Sequence, residues 1–258
     1  RTTKRIVAAS IPRDLAEFPQ APRNGGGTSG LMRVNGLYTI YRKDSMPHER
    51  IDRKAMARFK DDVAYALGAE IDYWAVIRFK QFAGLVDRIG GVDVDIPEKI
   101  DDPEFHRDGA FFPAATGYHL DAGKECKRPK PCHNVLTYAR SRKGTVGSGA
   151  NSDYARSRRQ QELVVAASQT GVRRGFTLDD LATLLPLVTS KMPSDIPITV
   201  ASAIELLALA NGATMAPRDT AVFGPRQWAE TTPGLPVYAY AMKVDEVRAW
   251  IRERFERG

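Results

Sequence analysis

The sequence lacks long apolar runs, internal repeats and low-complexity tracts, and these absences exclude several classes of protein. No stretch approaches about 18 consecutive apolar residues, the length that a transmembrane helix requires. At 258 residues and 43% apolar composition, the chain can bury a substantial core, and we expect one domain over residues 1–258. Arg1 is not a natural start, and a strand-like run follows it almost directly. We therefore expect a longer polypeptide, whose N-terminal part could hold a membrane anchor.

Cysteine is scarce, and the chain has no pattern of metal ligands. The two cysteines, Cys126 and Cys132, bracket a short charged segment with two prolines. A zinc site needs about four ligands, and only His133 lies close by, so zinc is not expected. We expect a disulfide between the two cysteines, which would place the protein outside the reducing cytosol. Two free buried thiols are the alternative, which the charged surroundings disfavour.

No Gly-Lys-Ser or Gly-Lys-Thr occurs anywhere in the sequence, so the glycine-rich loop at residues 23–30 is not a nucleotide-binding P-loop. The four histidines have no partners at metal-like spacing and stay unassigned.

Positive charge is concentrated in one stretch instead of being spread over the chain. Residues 136–161 hold six cationic side chains against one acid, Asp153, and so contribute +5 of the net charge of +7. A concentrated set of arginines indicates a defined anionic ligand, because guanidinium groups match phosphate oxygens in a bidentate manner.

Alternating strands and helices predict an α/β chain. Strands are predicted at residues 4–10, 72–79, 92–97, 221–223 and 237–241. Helices are predicted at residues 31–41, 51–67, 80–89, 152–169, 177–188, 200–211 and 244–255, with the end of a further helix at 134–142. The segment 72–97 has the period of a right-handed β-α-β crossover, and residues 98–130 are expected to be irregular. The apolar residues of these elements fit a core, and a lipid tunnel is the alternative.

Arg13 and Asp14 follow the first predicted strand, after a break at Pro12. Ligands bind at the carboxyl ends of strands in open α/β sheets, so this pair is a candidate site. A local salt bridge within the turn is the competing interpretation. Arg33, at the start of the next predicted helix, is ambiguous by itself.

The phase of the helix at residues 152–169 divides its polar residues. At about 100° per residue, Arg156, Arg159 and Gln160 share a face that continues into apolar positions, while Arg158 and Gln161 point elsewhere. Arginine is seldom buried without a partner. Asp153 alone cannot satisfy this face, so we expect a bound phosphate or pyrophosphate.

Several short motifs occur in one order between residues 10 and 169. They are Ser10-Ile11-Pro12-Arg13-Asp14, Arg33-Val34-Asn35, Ile71-Asp72-Tyr73 leading to Phe79, Phe82 and Val86-Asp87, Gly90-Gly91-Val92-Asp93-Val94, Tyr138-Ala139-Arg140-Ser141-Arg142, and Asp153 with Arg156, Arg159 and Gln160. Each is weak alone, but together they are specific. In these pieces the chain resembles the LytR-CpsA-Psr family of cell-wall phosphotransferases.

The resemblance implies an α/β fold with a mixed central β-sheet of parallel and antiparallel strands, sandwiched by α-helices, and an apolar lipid-binding pocket. It also implies an enzyme anchored at the extracytoplasmic face of the bacterial cell membrane. Such an enzyme moves a glycopolymer from a polyprenyl-pyrophosphate carrier to peptidoglycan with Mg²⁺, or alternatively Mn²⁺, and has a pyrophosphatase side activity.

The same resemblance assigns roles to individual residues. Asp14 is a magnesium-linked acid. Arg13, Asp153 and Arg159 complete or orient the catalytic site around it. Pyrophosphate is held by Arg33, Arg140, Arg142, Arg156 and Gln160. In the family pattern a strand with an earlier magnesium-linked aspartate precedes the strand at residues 4–10, and the present residues do not include it.

Two other functions remain open at this point. Arginine-rich segments also contact nucleic acids, but the nearly neutral remainder of the chain and the lack of a helix-turn-helix or RNA-binding signature disfavour a regulator. No nucleic-acid partner is expected. A non-catalytic polyprenyl-phosphate-binding protein, or an enzyme that only hydrolyses the pyrophosphate, would share the site.

Overall fold

The structure is a computed structural model that describes residues 5–42, 50–103, 105, 109–122, 134–141, 153–175, 177, 192–197, 199, 216, 219–225, 227–231, 234 and 239–255. The strands are β1 (Ala8–Ser10), β2 (Leu15–Ala16), β3 (Val92–Ile96), β4 (Ile100–Asp102), β5 (Ala110–Phe112), β6 (Ala115–Leu120), β7 (Thr220–Val222), β8 (Ala229–Glu230) and β9 (Tyr240–Met242). The α-helices are α1 (Val34–Tyr41), α2 (Arg53–Leu67), α3 (Phe79–Arg88), α4 (Val135–Arg140), α5 (Asp153–Arg174) and α6 (Val244–Phe255), and a 3₁₀ turn lies at Pro22–Asn24.

Strand pairing within the described residues is both parallel and antiparallel, which confirms the predicted mixed α/β class. β1 pairs in parallel with β7, and β2 pairs in parallel with β9, which is antiparallel to β8. The pairs β3–β6 and β4–β5 are antiparallel. β3 buries alternate residues, as its period-two sequence predicts.

Local signals predict helix ends well where a cap is present. Asp52 accepts hydrogen bonds from the backbone N–H groups of Lys54 (2.9 Å) and Ala55 (3.2 Å) and so begins α2. Gly68 ends it in the left-handed conformation, with φ 64°. α1 begins at Val34, three residues later than predicted, because Arg33 still has extended backbone. None of the described helices is long and apolar enough to cross a membrane.

The predicted strand at 72–79 is wrong beyond a single bridge between Ala75 and Ser194. Val76 N–H donates to the carbonyl of Pro193 at 2.8 Å, but proline has no N–H to continue a ladder. The chain turns into α3 at Phe79. The β-α-β unit predicted at residues 72–97 is therefore also wrong, since β3 pairs antiparallel with β6 and not in parallel with a strand before α3.

The irregular segment predicted at residues 98–130 is wrong in its described part. It contains three strands, β4, β5 and β6. β4 and β5 have only three residues each, and β6 has five partly or fully exposed positions before its buried last residue, Leu120, so none of them shows a clear apolar pattern. The helices predicted at 177–188 and 200–211 lie outside the described residues.

The glycine-rich loop reverses the chain and pairs residues 17–18 with residues 29–30. Glu17 N–H donates to the carbonyl of Gly30 at 2.7 Å, and Ser29 N–H to that of Phe18 at 2.9 Å. At the tip, residues 25–27 are three glycines with φ of 120°, 69° and 73°, conformations that other residues rarely adopt. The reversal brings Arg33 back beside the turn that follows β1.

A buried carboxylate fastens this loop to the helices. Asp62 of α2 is fully buried and accepts from Ala21 N–H (2.9 Å), the Asn24 amide (2.7 Å) and the Tyr41 hydroxyl (2.6 Å). Three donors compensate the cost of burying the charge. The position of α1, and with it of Arg33, is thereby set by a polar contact that hydrophobic periodicity does not reveal.

The described residues form two apolar clusters, and α5 contacts β3 on one side and β1 and β7 on the other. One cluster joins α3, α4 and α5 to the hairpin β3–β6. The other joins α1, α2 and α6 to β2 and β9, with Phe223, Trp228 and Trp250 packed edge to face at centroid distances of 5.5 to 6.3 Å.

Candidate active site

The turn after β1 places one acid between two arginines. Leu15 N–H donates to the Pro12 carbonyl at 3.3 Å and closes the turn. The Asp14 carboxylate oxygen Oδ1 lies 3.0 Å from Arg33 Nη1 and 3.7 Å from Arg13 Nε. We name Arg13, Asp14 and Arg33 the Asp14 cluster. The predicted local ion pair between Arg13 and Asp14 is present, and Arg33, which immediately precedes α1, approaches Asp14 more closely. The role of the pair as a ligand site stays a prediction.

The Asp14 cluster is only partly accessible. The side chain of Asp14 is 13% exposed and that of Arg33 is 34% exposed. Asp14 Oδ1 is itself buried, so the exposed part of this side chain does not include Oδ1. The cluster therefore has an internal face of paired charges and an outer face that a ligand can reach.

A second polar assembly joins α5 to the end of α4. The guanidinium of Arg159 donates to the carbonyl of Tyr138 at 3.0 Å and to the carbonyl of Ser141. The amide of Gln160 donates to the carbonyl of Ala139 at 3.1 Å. The last carbonyls of a helix have no partner within it, so α5 caps α4 from outside. We name these contacts the α4–α5 brace.

Burial at the brace shifts the pKa values of Arg159 and Tyr138. Arg159 is 6% exposed, and burial lowers its pKa, while Tyr138 and Glu162 act in the opposite direction. Tyr138 donates its hydroxyl hydrogen to Glu162 at 3.0 Å, and burial together with this acid raises the pKa of Tyr138. The guanidinium of Arg159 also lies over the Tyr138 ring, 5.8 Å from its centroid.

These contacts correct one argument made from helical phase. Arg159 does enter the core, but backbone carbonyls and an aromatic ring satisfy it, so it does not require an anion. Its predicted role in orienting the site stays a prediction. Arg156 lies one turn earlier on α5 and is half-buried. Arg158 points outward and forms an ion pair with Glu162 at 3.0 Å. Asp153 is the first residue of α5.

Sequence reasoning missed four residues of this region. Ser141 donates its hydroxyl hydrogen to the Asp102 carboxylate at 2.7 Å, and both side chains are buried. Gln161 donates to the carbonyls of Ala8 (3.2 Å) and Ala221 (2.7 Å), and so ties α5 to β1 and β7. Tyr138, described above, is the fourth. The only signal was that Tyr138 and Ser141 flank Arg140 within one motif.

Arg140 differs from the other arginines of the region, because its side chain is exposed at the end of the braced helix. Its guanidinium carbon lies 5.7 Å from the ring centroid of Phe79 and 6.0 Å from that of Phe105. Among the described residues no acid forms an ion pair with it. Its charge is therefore available to an anionic ligand.

The model of the LytR_cpsA_psr family matches residues 1–221 of this chain. The chain belongs to the LytR_cpsA_psr family. The family consists of phosphotransferases of cell-wall glycopolymer transfer that act on the extracellular side of the membrane. Membership assigns this chain to cell-wall glycopolymer transfer in general. A search among curated proteins finds no match.

Solved structures with this fold include members of the LytR_cpsA_psr family. B. subtilis TagV is 19% identical with a TM-score of 0.59, over 96% of this chain and 82% of TagV. The LytR-Csp2A-Psr enzyme from Actinomyces oris is 16% identical with a TM-score of 0.59, over 95% of this chain and 78% of the enzyme. TagT bound to LI-WTA is 15% identical with a TM-score of 0.59, over 95% of this chain and 76% of TagT. At these identities the similarity establishes a shared fold.

The described residues fit one mode of metal binding and not another. No group of three His, Cys, Asp or Glu in the described ranges could enclose a metal ion. Magnesium, however, is commonly held by one or two carboxylates together with phosphate oxygens of the substrate. Asp14 supplies one carboxylate at an accessible edge. The site therefore fits a cation shared between Asp14 and a bound pyrophosphate, and does not fit a cage made by these residues alone.

Several predicted features of this LytR_cpsA_psr chain lie outside the described residues: Arg142, both cysteines and the side chain of Asp153.

A cleft of about 570 Å³ runs along the face of α5 that carries Arg158. Its lining includes the charged side chains of Asp93, Asp95, Arg158, Glu162 and Arg173. Apolar side chains such as Val94, Val165 and Ala166 complete this mixed lining, and the apolar lipid pocket stays a prediction.

Proposed function

We propose that this chain transfers a glycopolymer from a polyprenyl-pyrophosphate carrier to peptidoglycan. The observation that carries the proposal is Arg140, an exposed cation at the end of a helix that two side chains of α5 brace. An exposed guanidinium that lies over two aromatic rings, with no acid partner among the described residues, is suited to bind an anion. The family supplies the class of reaction.

The donor is expected to place its pyrophosphate between the Asp14 cluster and the α4–α5 brace. Arg33 and Arg140 would neutralise its charge, with Arg142, Arg156 and Gln160 as further ligands and with Arg13, Asp153 and Arg159 orienting the site. Phosphoryl transfer depends mainly on positioning and charge neutralisation, so an arginine-rich site without a covalent nucleophile is sufficient.

The reaction expected is an in-line displacement. A hydroxyl group of the peptidoglycan sugar attacks the phosphorus attached to the glycopolymer, forming a new P–O bond. The bond from that phosphorus to the bridging oxygen breaks, and polyprenyl phosphate leaves. If water replaces the acceptor hydroxyl, the same geometry gives pyrophosphate hydrolysis, the expected side activity.

Magnesium, with manganese as an alternative, is the cofactor we propose, and Asp14 is the residue that would hold it together with pyrophosphate oxygens. A bound divalent ion stabilises charge that develops on the transferred phosphoryl group. We place the protein at the extracytoplasmic face of the bacterial cell membrane, held by an N-terminal anchor. A Cys126–Cys132 disulfide would be compatible with that compartment.

A single-turnover assay tests the proposal. Purified protein is mixed with a polyprenyl-pyrophosphate-linked glycan and Mg²⁺, with and without peptidoglycan, and lipid and glycan products are separated. We expect polyprenyl phosphate and glycan-linked peptidoglycan when the acceptor is present. Binding of the donor without any release of lipid phosphate would instead support a non-catalytic carrier, and release without transfer would support a hydrolase.

A further inference from the structure

Among the residues that the structure describes, Arg140 contacts two aromatic rings and forms no ion pair with an acid. Phe79 begins α3 and Phe105 follows β4, so the two rings that approach its guanidinium come from different elements. Aromatic rings attract a cation through their faces at distances up to about 6 Å. A carboxylate in the same place would compete with an anionic ligand for the N–H donors, whereas a ring leaves these donors available.

Phe79 is a largely exposed aromatic residue at the start of α3. It is 46% exposed, although Phe82, one turn later on α3, packs against the core. Burial alone therefore does not account for a large aromatic residue at this position. Its ring instead faces the guanidinium carbon of Arg140, 5.7 Å from the ring centroid.

Phe105 is fixed by its backbone. Its N–H donates to the Asp102 carbonyl at 3.2 Å, and its own carbonyl accepts from Gly109 N–H at 3.0 Å. The Asp102 carboxylate in turn accepts a hydrogen bond from Ser141, the residue after Arg140. The ring and the arginine therefore share one structural support, which limits their relative movement.

We propose that Phe79 and Phe105 are positioning residues that orient the Arg140 guanidinium toward the pyrophosphate, through their ring faces. The inference rests on the proposed function, because it concerns the same anion. It goes further in assigning a specific role to two side chains that do not themselves bind the charge.

Calorimetric titration with farnesyl pyrophosphate in Mg²⁺ buffer tests the proposal. Phe79→Leu keeps an apolar side chain but removes the ring, and we expect it to weaken binding by about two- to fivefold, as does Phe105→Leu. Phe79→Tyr keeps a ring face and should restore wild-type affinity. In an Arg140→Ala background, Phe79→Leu should have no further effect, since the ring then has no cation to orient.

Phe111→Leu is the matched control. Phe111 also has a cation over its ring, but this cation is Lys99, at 5.2 Å, and Phe111 belongs to β5. We expect its affinity to equal that of the wild type. The calorimetric stoichiometry reports the competent fraction, so a partly unfolded variant still yields an interpretable Kd.

The outcomes separate this inference from the proposed function. If the wild type does not bind farnesyl pyrophosphate, both the proposed function and the positioning role of the rings fail. If the wild type binds and Arg140→Ala weakens binding, but Phe79→Leu changes nothing, only the positioning role fails. An equal loss for Phe79→Leu and Phe79→Tyr, or a loss that persists in the Arg140→Ala background, would also overturn it.

Discussion

The Asp14 cluster and the α4–α5 brace hold arginines in opposite ways. In the Asp14 cluster, Arg33 and Arg13 face a carboxylate, so their charge is partly neutralised before any ligand arrives. In the brace, Arg159 is satisfied by carbonyls, and the neighbouring Arg140 by aromatic rings. Carbonyls and rings orient a cation without cancelling its charge. Under the proposed function, we therefore expect the stronger anion-binding contribution from the α4–α5 side and the metal-linked contribution from Asp14.

Arg140→Ala should show the largest effect. Removing a preorganised cation from the reacting phosphate should slow turnover by roughly 100-fold or more, as for other electrostatic donors of transition states. Because the side chain is exposed, the melting temperature should stay unchanged. Single-turnover kinetics and a thermal melt measure both. Unchanged turnover would show that the contrast between the two regions has no functional meaning.

Arg159→Ala should act on stability more than on chemistry. It leaves buried carbonyls at the end of α4 without their donor, which should cost about 3 kcal/mol of unfolding free energy. Urea denaturation measures this cost. Arg158→Ala is the control, because Arg158 is an exposed neighbour whose ion pair with Glu162 is worth less than about 0.5 kcal/mol. Equal losses for the two variants would contradict the buried brace.

Gln160→Ala distinguishes two roles for one residue. As part of the brace, its amide hydrogen bond to Ala139 should contribute about 1 kcal/mol to stability. As a pyrophosphate ligand, it should also contribute to affinity for farnesyl pyrophosphate. Denaturation and calorimetry on the same variant separate the two. A stability loss with unchanged affinity would restrict Gln160 to the brace.

Asp14→Asn should show the smallest effect on binding. The direction of this effect should differ between metal-free buffer and buffer with Mg²⁺. In metal-free buffer, removing the carboxylate leaves Arg33 uncompensated, so affinity for farnesyl pyrophosphate should rise by about two- to fivefold at this half-buried pair. With Mg²⁺ present, the same variant should lose the metal-dependent increase in affinity and turnover. A loss of affinity in metal-free buffer would mean that Asp14 supports the site in another way.

The parts of the fold that were predicted correctly depend on short-range signals. α2 and α6 follow apolar periodicity, and α2 also has an Asp52 cap and a Gly68 stop. The error at residues 72–79 arose because a strand requires a partner, and the partner here is a proline-containing segment far along the chain. The hairpins after residue 98 were missed because their strands are short and partly polar.

In the candidate site, too, some features follow from the sequence alone and others depend on the tertiary structure. The sequence by itself determined which residues carry charge, that Arg156, Arg159 and Gln160 share a helix face, and that the motifs are those of one family. Only the tertiary structure decided what each side chain contacts: carbonyls for Arg159, strands for Gln161, rings for Arg140. The physical reason is that helical phase gives a direction, whereas a hydrogen-bond partner depends on how distant segments pack.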